Sequence, residues 1–465
     1  MFYSINGDIR TIIESFRNTF SHILDVSKLE SIACRTNFKL RSGKISPKLF
    51  LDLLFYGIGN ELKSLANISQ AAYTDHNLLV SKQALDLRFS EASTAFVKEL
   101  IREAIVSQAT IAIDPSNWQL FKTVRVKDST TIELQDSLAD VFEGFGKGGG
   151  PNSKAAVSIQ YEFDVKSNRI FDIDLQPATH RDANDAKAKV DDVQPGDLII
   201  RDLGYYSDEV IAGYALRGAY FISKLSHGVS VRTHQDASEK IDFGDLFRTL
   251  QKARQTHVDM EVFIGKKRRP ARLIAVLMPE DVYQKRIRQR NRDNRSVGYT
   301  ISEEYKSRAH FNIFVINVPW ADCSYEAICN LYRIRWQIEL VFKAWKSVMR
   351  IDQLRKLKRE RMLTTLYGKL LWIFLNWKII SECRNDCYRT DRKLLSTLKC
   401  FKTLKERGYQ LRMGVFKLQH GLDEMLAEFV RLLARNHWVE KRKDRCNQAE
   451  IFDLLFCSSA RYCYL

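Results

Sequence analysis

The sequence is poor in cysteine, with nine cysteines among 465 residues. So low and odd a count does not suggest a disulfide framework, and we expect reduced thiols in a reducing compartment. Cys383 and Cys387 are close enough to share a helix face, but no second Cys or His pair follows them at zinc-finger spacing. The cysteines therefore indicate buried or surface thiols rather than a metal site.

Long apolar runs are missing as well. The longest, at 370–380, is too short to cross a bilayer and contains Lys378. The N-terminal residues lack a basic start followed by an apolar core, so we expect no signal peptide. These absences predict a cytoplasmic protein without a membrane partner.

Two common catalytic patterns are also absent. The glycine-rich stretch at 144–150 lacks the spacing of a phosphate-binding P-loop and has no buried strand before it. Ser129 and Thr130 have no His and Asp partners at recognisable positions. The sequence therefore argues against P-loop chemistry and against a nucleophilic serine.

Positive charge, by contrast, is abundant. Lys and Arg outnumber Asp and Glu by 73 to 56, which gives a net charge of +17. This excess predicts a polyanionic partner, and nucleic acid is the first candidate. A basic tract at 285–295, which includes Arg288 and Arg290, contains a single acid, Asp293. Such a run is ordinarily a solvated surface, and an arm that follows DNA phosphates is the alternative.

The hydrophobic pattern predicts a mixed α/β fold. Residues 124–134 alternate with period two, and the strands at 155–165 and 169–178 form a hairpin. Strands and helices then alternate from 182 to 225, and a buried strand resumes at 311–319. This order matches a ribonuclease-H-like mixed sheet, interrupted by a β-rich insertion and flanked by helical N- and C-terminal domains.

Three carboxylates lie at positions that suit a metal site. Asp128 interrupts the apolar face of its strand, where a charge is costly unless it is paired or binds a metal. Asp202 ends a buried strand, the place where α/β sheets bind ligands. Glu339 lies on a helix farther along the chain. Together these residues can hold two divalent cations that promote an in-line phosphoryl displacement.

Glu339 also belongs to a row of polar residues on one predicted helix. Tyr332, Arg335, Glu339 and Lys346 recur at spacings of three, four and seven, which places them on one narrow stripe. The apolar residues of the segment lie on the facing side, so we expect the stripe to stand clear of the packing surface. A carboxylate between two cations and a phenol is typical of an acid that binds a metal while its neighbours hold phosphate.

Each carboxylate has an ordinary structural explanation too. Asp128 can accept backbone hydrogen bonds at a strand end, and Asp202 can shape the turn that follows it. Glu339 can pair with Arg335 or Lys343, which lie four residues to either side of it. Taken together, within one sheet and beside a cationic stripe, the three carboxylates favour the metal site.

The polar stripe reproduces a Y-x2-R-x3-E-x6-K signature, and the segment resembles bacterial cut-and-paste DDE transposases of the insertion-sequence-4 type. The Asp128-Ser-Thr segment of the first strand is similar to that family's first aspartate motif. The Asp202-Leu-Gly-Tyr turn is similar to its second aspartate motif. The long segment between Asp202 and Glu339 resembles its strand-rich insertion. The likeness covers residues 120–350 well and the two ends only loosely.

The resemblance implies a metal-dependent enzyme. Asp128, Asp202 and Glu339 would bind two Mg²⁺ ions, with Mn²⁺ able to substitute. The partner would be double-stranded DNA, both the transposon ends and the target, and the protein would act as a homodimer on DNA. The cell compartment would be the bacterial cytoplasm, at the nucleoid.

The resemblance also implies DNA contacts. An aromatic that receives a flipped base is expected on the strand before the catalytic helix. Phe311 is nearest to that place, and a core aromatic at a strand start is the alternative interpretation. The basic tract becomes a candidate phosphate-binding arm. The predicted DNA-binding residues are Tyr332, Arg335, Lys346, Phe311, Arg288 and Arg290.

We therefore predict a DNA transposase that cleaves transposon ends and transfers them into target DNA, through a hairpin intermediate. The alternatives are a metal-dependent nuclease or resolvase on the same fold, and a non-catalytic DNA-binding descendant. The predicted domains are a helical DNA-binding domain, a first part of the catalytic core, a β-rich insertion subdomain, a second part of the core and a helical C-terminal domain. Their boundaries are 1–118, 119–226, 227–309, 310–365 and 366–465.

Overall fold

The structure is a computed structural model that describes most of the chain. The described residues are 9–39, 43–59, 63–108, 120–146, 154–225, 228–295, 298–354, 356–417 and 421–440. Within them the helices are α1 (Ile9–Thr19), α2 (Ser21–Leu24), α3 (Val26–Arg35), α4 (Pro47–Ile58), α5 (Leu65–His76), α6 (Lys82–Asp86), α7 (Glu91–Val106), α8 (Asp182–Ala188), α9 (Asp208–Leu216), α10 (Phe243–Ala253), α11 (Glu280–Arg295), α12 (Glu303–Ala309), α13 (Tyr325–Arg333), α14 (Trp336–Ser347), α15 (Arg359–Asp391), α16 (Thr397–Glu406), α17 (Gly408–Phe416) and α18 (Leu422–Asn436).

In the described part of the chain, the strands form one mixed sheet of nine strands in the order β3-β2-β1-β4-β5-β9-β8-β7-β6. The pairs β1–β4 and β4–β5 are parallel, whereas β2–β3 and every pair from β5 to β6 along the sheet are antiparallel. The strands are β1 (Thr123–Leu134), β2 (Ala155–Asp164), β3 (Ile170–Pro177), β4 (Asp197–Arg201), β5 (Tyr220–Lys224), β6 (Val231–Arg232), β7 (His257–Ile264), β8 (Arg269–Leu277) and β9 (Phe311–Ile316).

The chain divides into two compact units. The helical unit consists of Met1–Ala112, Ser129–Thr179 and Trp336–Glu450. The sheet unit consists of Ile113–Asp128, His180–Arg335 and Ile451–Leu465.

The helical unit is built around α15, a helix of 33 residues that is buried over most of its length. Aromatic side chains fasten it to its neighbours: the ring centroid of Phe374 lies 5.5 Å from that of Phe20, and that of Trp372 lies 5.0 Å from that of Phe55. A helix that is buried around most of its circumference is stabilised by such packing rather than by a single apolar face. None of the described helices, α15 included, has an apolar stretch long enough to cross a membrane.

Local sequence explains where the first helices begin. Ser46 caps α4 by accepting a hydrogen bond from the Leu49 amide, and Pro47 occupies the first turn. Ser64 and Ser90 form capping boxes at α5 and α7. These caps satisfy backbone amides that a helix start otherwise leaves unpaired.

The sheet unit has its own apolar core, made from strands on both sides of β5. Ile199 of β4, Phe221 of β5, Leu273 of β8 and Val315 of β9 are all buried there. The parallel strands β4 and β5 are short and buried along most of their length, as expected for strands covered on both faces. This core fixes the strand ends that carry the polar residues described below.

The predicted strands and the hairpin of β2 and β3 are confirmed. Among its described residues, the segment at 227–309 contains three strands and also three helices, α10, α11 and α12. Its strand β8 pairs with β9, so β6, β7 and β8 extend the main sheet. The basic tract belongs to α11, whose sequence is too polar to show the apolar periodicity of an ordinary surface helix.

Candidate active site

Strand register brings Asp128 and Asp202 to the same level of the sheet. The parallel pairing of β1 and β4 runs from Thr123 opposite Asp197 to Lys127 opposite Arg201. Asp128 and Asp202 are the residues that follow the last of these pairs. Carboxyl ends of neighbouring parallel strands are where open α/β sheets bind ligands. The two aspartates predicted from the sequence therefore lie at one candidate site in the sheet unit.

Asp128 has a cationic partner. The guanidinium of Arg335 donates a hydrogen bond to the Asp128 carboxylate, with Nη1 3.0 Å from Oδ2. Both side chains retain some exposure, 16% for Arg335 and 21% for Asp128. Positive charge thus already sits beside this carboxylate, in a place that water and ions can reach.

Asp202 is held by a phenol. The Tyr332 hydroxyl lies 3.4 Å from Asp202 Oδ1, and the Tyr332 ring packs on Phe314 with centroids 5.0 Å apart. Burial raises the pKa of Tyr332, and the neighbouring Asp202 carboxylate raises it further. The phenol therefore remains protonated and can donate to Asp202.

Two further carboxylates, those of Asp182 and Asp185, lie near Tyr205 in the turn after Asp202, and the sequence prediction did not include them. Burial raises the pKa of Tyr205 far above its ordinary value, and negative charge from Asp182, Asp128 and Asp185 raises it further, whereas Arg201 opposes the rise. Acidic and basic side chains therefore both act on this phenol. The signal that could have revealed the two further carboxylates is the acidic start of α8, which the sequence shows as Asp182 and Asp185.

The turn after Asp202 brings α8 close to the site. A Cβ on Gly204 would lie 3.1 Å from Asp182 Oδ2, tighter than most side-chain contacts. Glycine therefore lets the turn approach the Asp182 carboxylate. A larger residue would push against one of the acids that define the local charge.

The signature does not lie on one continuous helix, and that prediction is wrong. α13 ends at Arg333 and α14 begins at Trp336. Between them, the Ile334 amide bonds to the Leu331 carbonyl and the Arg335 amide to the Tyr332 carbonyl, which is the tighter i→i+3 pattern of a 3₁₀ turn. Tyr332 is also only 7% exposed, so it does not stand clear of the packing surface.

Glu339 and Lys346 lie on α14, in the helical unit. Both are partly exposed, whereas Ile338, Val341 and Trp345 of the same helix are buried, as the sequence predicts. The Lys346 ammonium donates to the Thr131 carbonyl of β1 at 3.1 Å. The cation is thus held against β1 by a contact within the helical unit.

The other predicted DNA-binding residues have different surroundings. Phe311 is 2% exposed and packs its ring on Phe243 and Phe247, with centroids 6.0 and 6.3 Å apart, so it is the core aromatic that we named as the alternative. Arg288 and Arg290 are exposed on α11. The Arg290 guanidinium lies 5.3 Å from the centre of the Tyr305 ring, within cation–π distance.

The carboxylate donors of Asp128 and Asp202 suit a hard divalent cation. Carboxylate oxygens are the ligands that Mg²⁺ prefers, and Arg335 shows that a cation is tolerated beside Asp128. Across the described part of the chain, however, no three His, Cys, Asp or Glu side chains come close enough together to enclose a metal ion. The full set of metal ligands therefore stays a prediction.

Comparison with known proteins gives the family. Residues 119–375 match the family described as Transposase DDE domain. The chain is 28% identical over 470 residues to the transposase for insertion sequence element IS231E of Bacillus thuringiensis subsp. finitimus, a match that covers 97% of this chain and 96% of that protein. It is 25% identical over 448 residues to the transposase for insertion sequence element IS1151 of Clostridium perfringens, covering 92% of this chain and 93% of that protein.

A DDE domain implies dependence on a divalent metal cation, in agreement with the carboxylates of Asp128 and Asp202. The matched domain begins just before β1 and ends within α15, so it includes Asp128, Asp202 and Glu339. The chain belongs to the bacterial DDE transposases, enzymes that cleave DNA and transfer its strands.

Proposed function

We propose that this transposase cleaves transposon ends and joins them to target DNA with two Mg²⁺ ions, for which Mn²⁺ can substitute. The ligands in this proposal are Asp128, Asp202 and Glu339. The observation that supports it is the register of β1 and β4, in which Asp128 and Asp202 directly follow the last paired residues of the two strands. When bound, two such ions activate an attacking oxygen and stabilise the leaving one.

The protein's own groups orient the carboxylates. Arg335 neutralises Asp128 and Tyr332 donates to Asp202, so each acid has a fixed partner before any metal or DNA arrives. The Tyr332 bond pre-orients the Asp202 carboxylate, whereas a metal ion at Asp128 Oδ2 would have to displace Arg335. In the DNA complex we assign Arg335 and Lys346 to phosphates of the transposon end, and Tyr332 to the alignment of Asp202.

The finer assignments rest on the signature at 332–346. Its spacing supports the insertion-sequence-4 type, a ribonuclease-H-like core, a hairpin intermediate and a homodimer that holds two DNA ends. We propose DNA-binding and subunit-contact roles for the helical segments at 1–118 and 366–465. Since DNA is the substrate of transposases, we also propose association with the nucleoid.

The test is metal-dependent cleavage of a DNA duplex that carries the end of the element. Asp128→Asn, Asp202→Asn and Glu339→Gln should each abolish cleavage and leave DNA binding largely intact. Glu133→Gln is the matched control, because it removes an exposed carboxylate from the same strand as Asp128. Full activity in any of the three site variants would contradict the assignment.

Strand transfer separates the transposase from a nuclease. A pre-cut end should join to a target plasmid in the presence of Mg²⁺ or Mn²⁺. Cleavage without any joined product would instead support a nuclease or resolvase on the same fold.

A further inference from the structure

One face of α11 fastens this helix to the rest of the sheet unit. The Arg286 guanidinium donates to the carbonyls of Ala309 and Phe311, at 3.2 and 2.7 Å. The Tyr283 ring stacks on His310 with centroids 3.9 Å apart. Together with Arg290 over Tyr305, these contacts define an anchoring face that extends along most of the helix.

The opposite face is a stripe of cations. At about 100° per residue, Lys285, Arg288, Arg292 and Arg295 fall within about 80° of one another, and the anchoring residues Tyr283, Arg286 and Arg290 point the other way. All four cations are exposed. We call them the α11 stripe.

Most of this charge is uncompensated. Lys285 pairs with Asp281 at 3.1 Å, but within the described ranges Arg288, Arg292 and Arg295 form no ion pair. Asp293, on the flank of the stripe, accepts a hydrogen bond from Gln289. The outer surface of α11 thus presents three guanidinium groups to the solvent.

Helix stability alone does not explain this arrangement. Cations in the last turn interact favourably with the helix dipole, which accounts for Arg292 and Arg295 but not for Arg288. Like charges three or four residues apart repel, as Arg288 and Arg292 do. The guanidinium group is the side chain best suited to bind phosphate through paired hydrogen bonds. An external polyanion explains both the residue type and the tolerated repulsion.

We propose that the α11 stripe binds the phosphate backbone of target DNA, an inference that rests on the proposed function. The stripe is about 15 Å long, because ten helical steps of about 1.5 Å separate Lys285 from Arg295. One DNA strand presents a phosphate about every 3.4 Å along the duplex axis, so four cations match about four phosphates.

The target is the occupant that fits the chemistry of the stripe. Phosphate contacts position DNA without reading its sequence, and the stripe contains only phosphate-binding side chains. The ends of an insertion sequence are fixed in sequence, whereas the DNA into which it inserts differs from one event to the next. A surface without base readout therefore suits the target duplex better than the transposon end.

The experiment compares the wild-type chain with a triple variant, Arg288→Gln, Arg292→Gln and Arg295→Gln. The first measurement is fluorescence anisotropy with a duplex of unrelated sequence over a range of salt concentrations, which requires no catalysis. We expect the plot of log affinity against log salt to become less steep by about 2 to 3, at about 0.9 for each lost phosphate contact.

The second measurement is joining of a pre-cut end to a target plasmid. The triple variant should need on the order of tenfold more target DNA for half-maximal joining, because it lacks three phosphate contacts. Its cleavage of the end and its affinity for the end should stay within about twofold of wild type. Circular dichroism and the thermal midpoint verify that the triple variant folds.

The matched control is Lys252→Gln, Lys266→Gln and Lys267→Gln, which removes the same charge from exposed positions elsewhere in the sheet unit. This control should bind and use target DNA like the wild type. The proposal would be overturned if the folded triple variant kept the wild-type slope of log affinity against log salt. It would also be overturned if the control variant lost as much affinity for target DNA as the triple variant. If the triple variant lost more affinity for the transposon end than for unrelated DNA, the stripe would be assigned to the transposon end instead. A wild-type protein that binds DNA through the stripe but never cleaves or joins it would contradict only the proposed function.

Discussion

The ammonium of Lys127 lies 2.6 Å from the Asp185 carboxylate, and the two side chains are only 0% and 2% exposed. Lys127 directly precedes Asp128 in β1, and Asp185 lies on α8, whose first residue, Asp182, reaches the turn after Asp202. A buried ion pair thus connects the strand of one proposed metal ligand with the helix beside the other.

Breaking this pair should destabilise the sheet unit strongly. Asp185→Asn leaves the Lys127 charge buried without its carboxylate, and such losses are typically about 3–5 kcal/mol. Urea unfolding monitored by circular dichroism should show the change as a lower midpoint. The double variant Lys127→Met with Asp185→Leu should recover much of the loss, because no uncompensated charge remains.

The control for this prediction is the exposed pair of Lys187 and Glu209, whose nitrogen and oxygen are 2.7 Å apart. Glu209→Gln should barely move the unfolding midpoint, since exposed ion pairs contribute little. Equal effects of Asp185→Asn and Glu209→Gln would show that burial of the Lys127 pair has no energetic consequence.

Arg335 should compete with the metal for Asp128. Its guanidinium bonds to Oδ2 of that carboxylate, so a cation that takes the same oxygen must displace it. Arg335→Gln should therefore tighten binding of Mn²⁺ to the DNA-free protein by about three- to tenfold, as expected from an ion pair of about 1 kcal/mol. Calorimetric titration with Mn²⁺ measures the change.

Arg333→Gln is the control for the metal titration. Arg333 is exposed two residues earlier and bonds only to Asn330 among the described residues. It should leave the affinity for Mn²⁺ unchanged. If Arg335→Gln weakened metal binding, the guanidinium would be supporting the metal site rather than competing for it.

His22 should make the helical unit sensitive to acid. It is 3% exposed, and burial lowers its pKa from 6.5 to about 4. Because the folded pKa is lowered, the stability is fully present above pH 6.5 and is lost as the pH falls towards 4. The loss should approach about 3 kcal/mol, at 1.36 kcal/mol for each pKa unit.

The pH effect can be isolated with His22→Leu. Urea unfolding at pH 7, 5.5 and 4.5 should show that the free energy of unfolding of the variant rises relative to that of wild type as the pH decreases. Parallel curves for the two proteins would mean that His22 does not titrate in this range.

Lys346 should act as a phosphate contact of the transposon end. Lys346→Ala should weaken binding of the end and make its dependence on log salt less steep by about 1. Lys343→Ala is the control, since Lys343 is exposed on the same helix but lies outside the signature. Identical salt slopes for the two variants would reduce Lys346 to its structural role at the Thr131 carbonyl.

The sequence is sufficient to predict the strands, with Asp128 inside one of them and Asp202 directly after another. Alternation over β1 depends on local periodicity, and Asp128 was recognisable because it interrupts an apolar face. Asp202 was recognisable because it follows a short buried run. Both patterns depend only on neighbouring residues in the sequence, so they can be recognised without tertiary information.

The break between α13 and α14 has no comparable local signal. Tyr332 and Arg335 bond to residues 130 and 207 positions away, and these contacts accompany a turn where the pattern predicts a continuous helix. Tertiary contacts of this kind override helical periodicity. The burial of Phe311 likewise depends on α10, and the fold of the basic tract depends on anchors at Tyr283 and Arg286 rather than on an apolar stripe.

The pairing of β1 with β4 determines which changes in chain length this enzyme can tolerate. The distance between Asp128 and Asp202 depends on five matched residue pairs and not on the length of the chain that connects the strands. Residues added in the turn between β2 and β3 would leave those pairs intact. A single residue added within Thr123–Lys127 would turn the following side chains to the opposite face of the sheet. Insertions and deletions among related transposases should therefore occur in the segments that connect the strands and not within these five residues of β1.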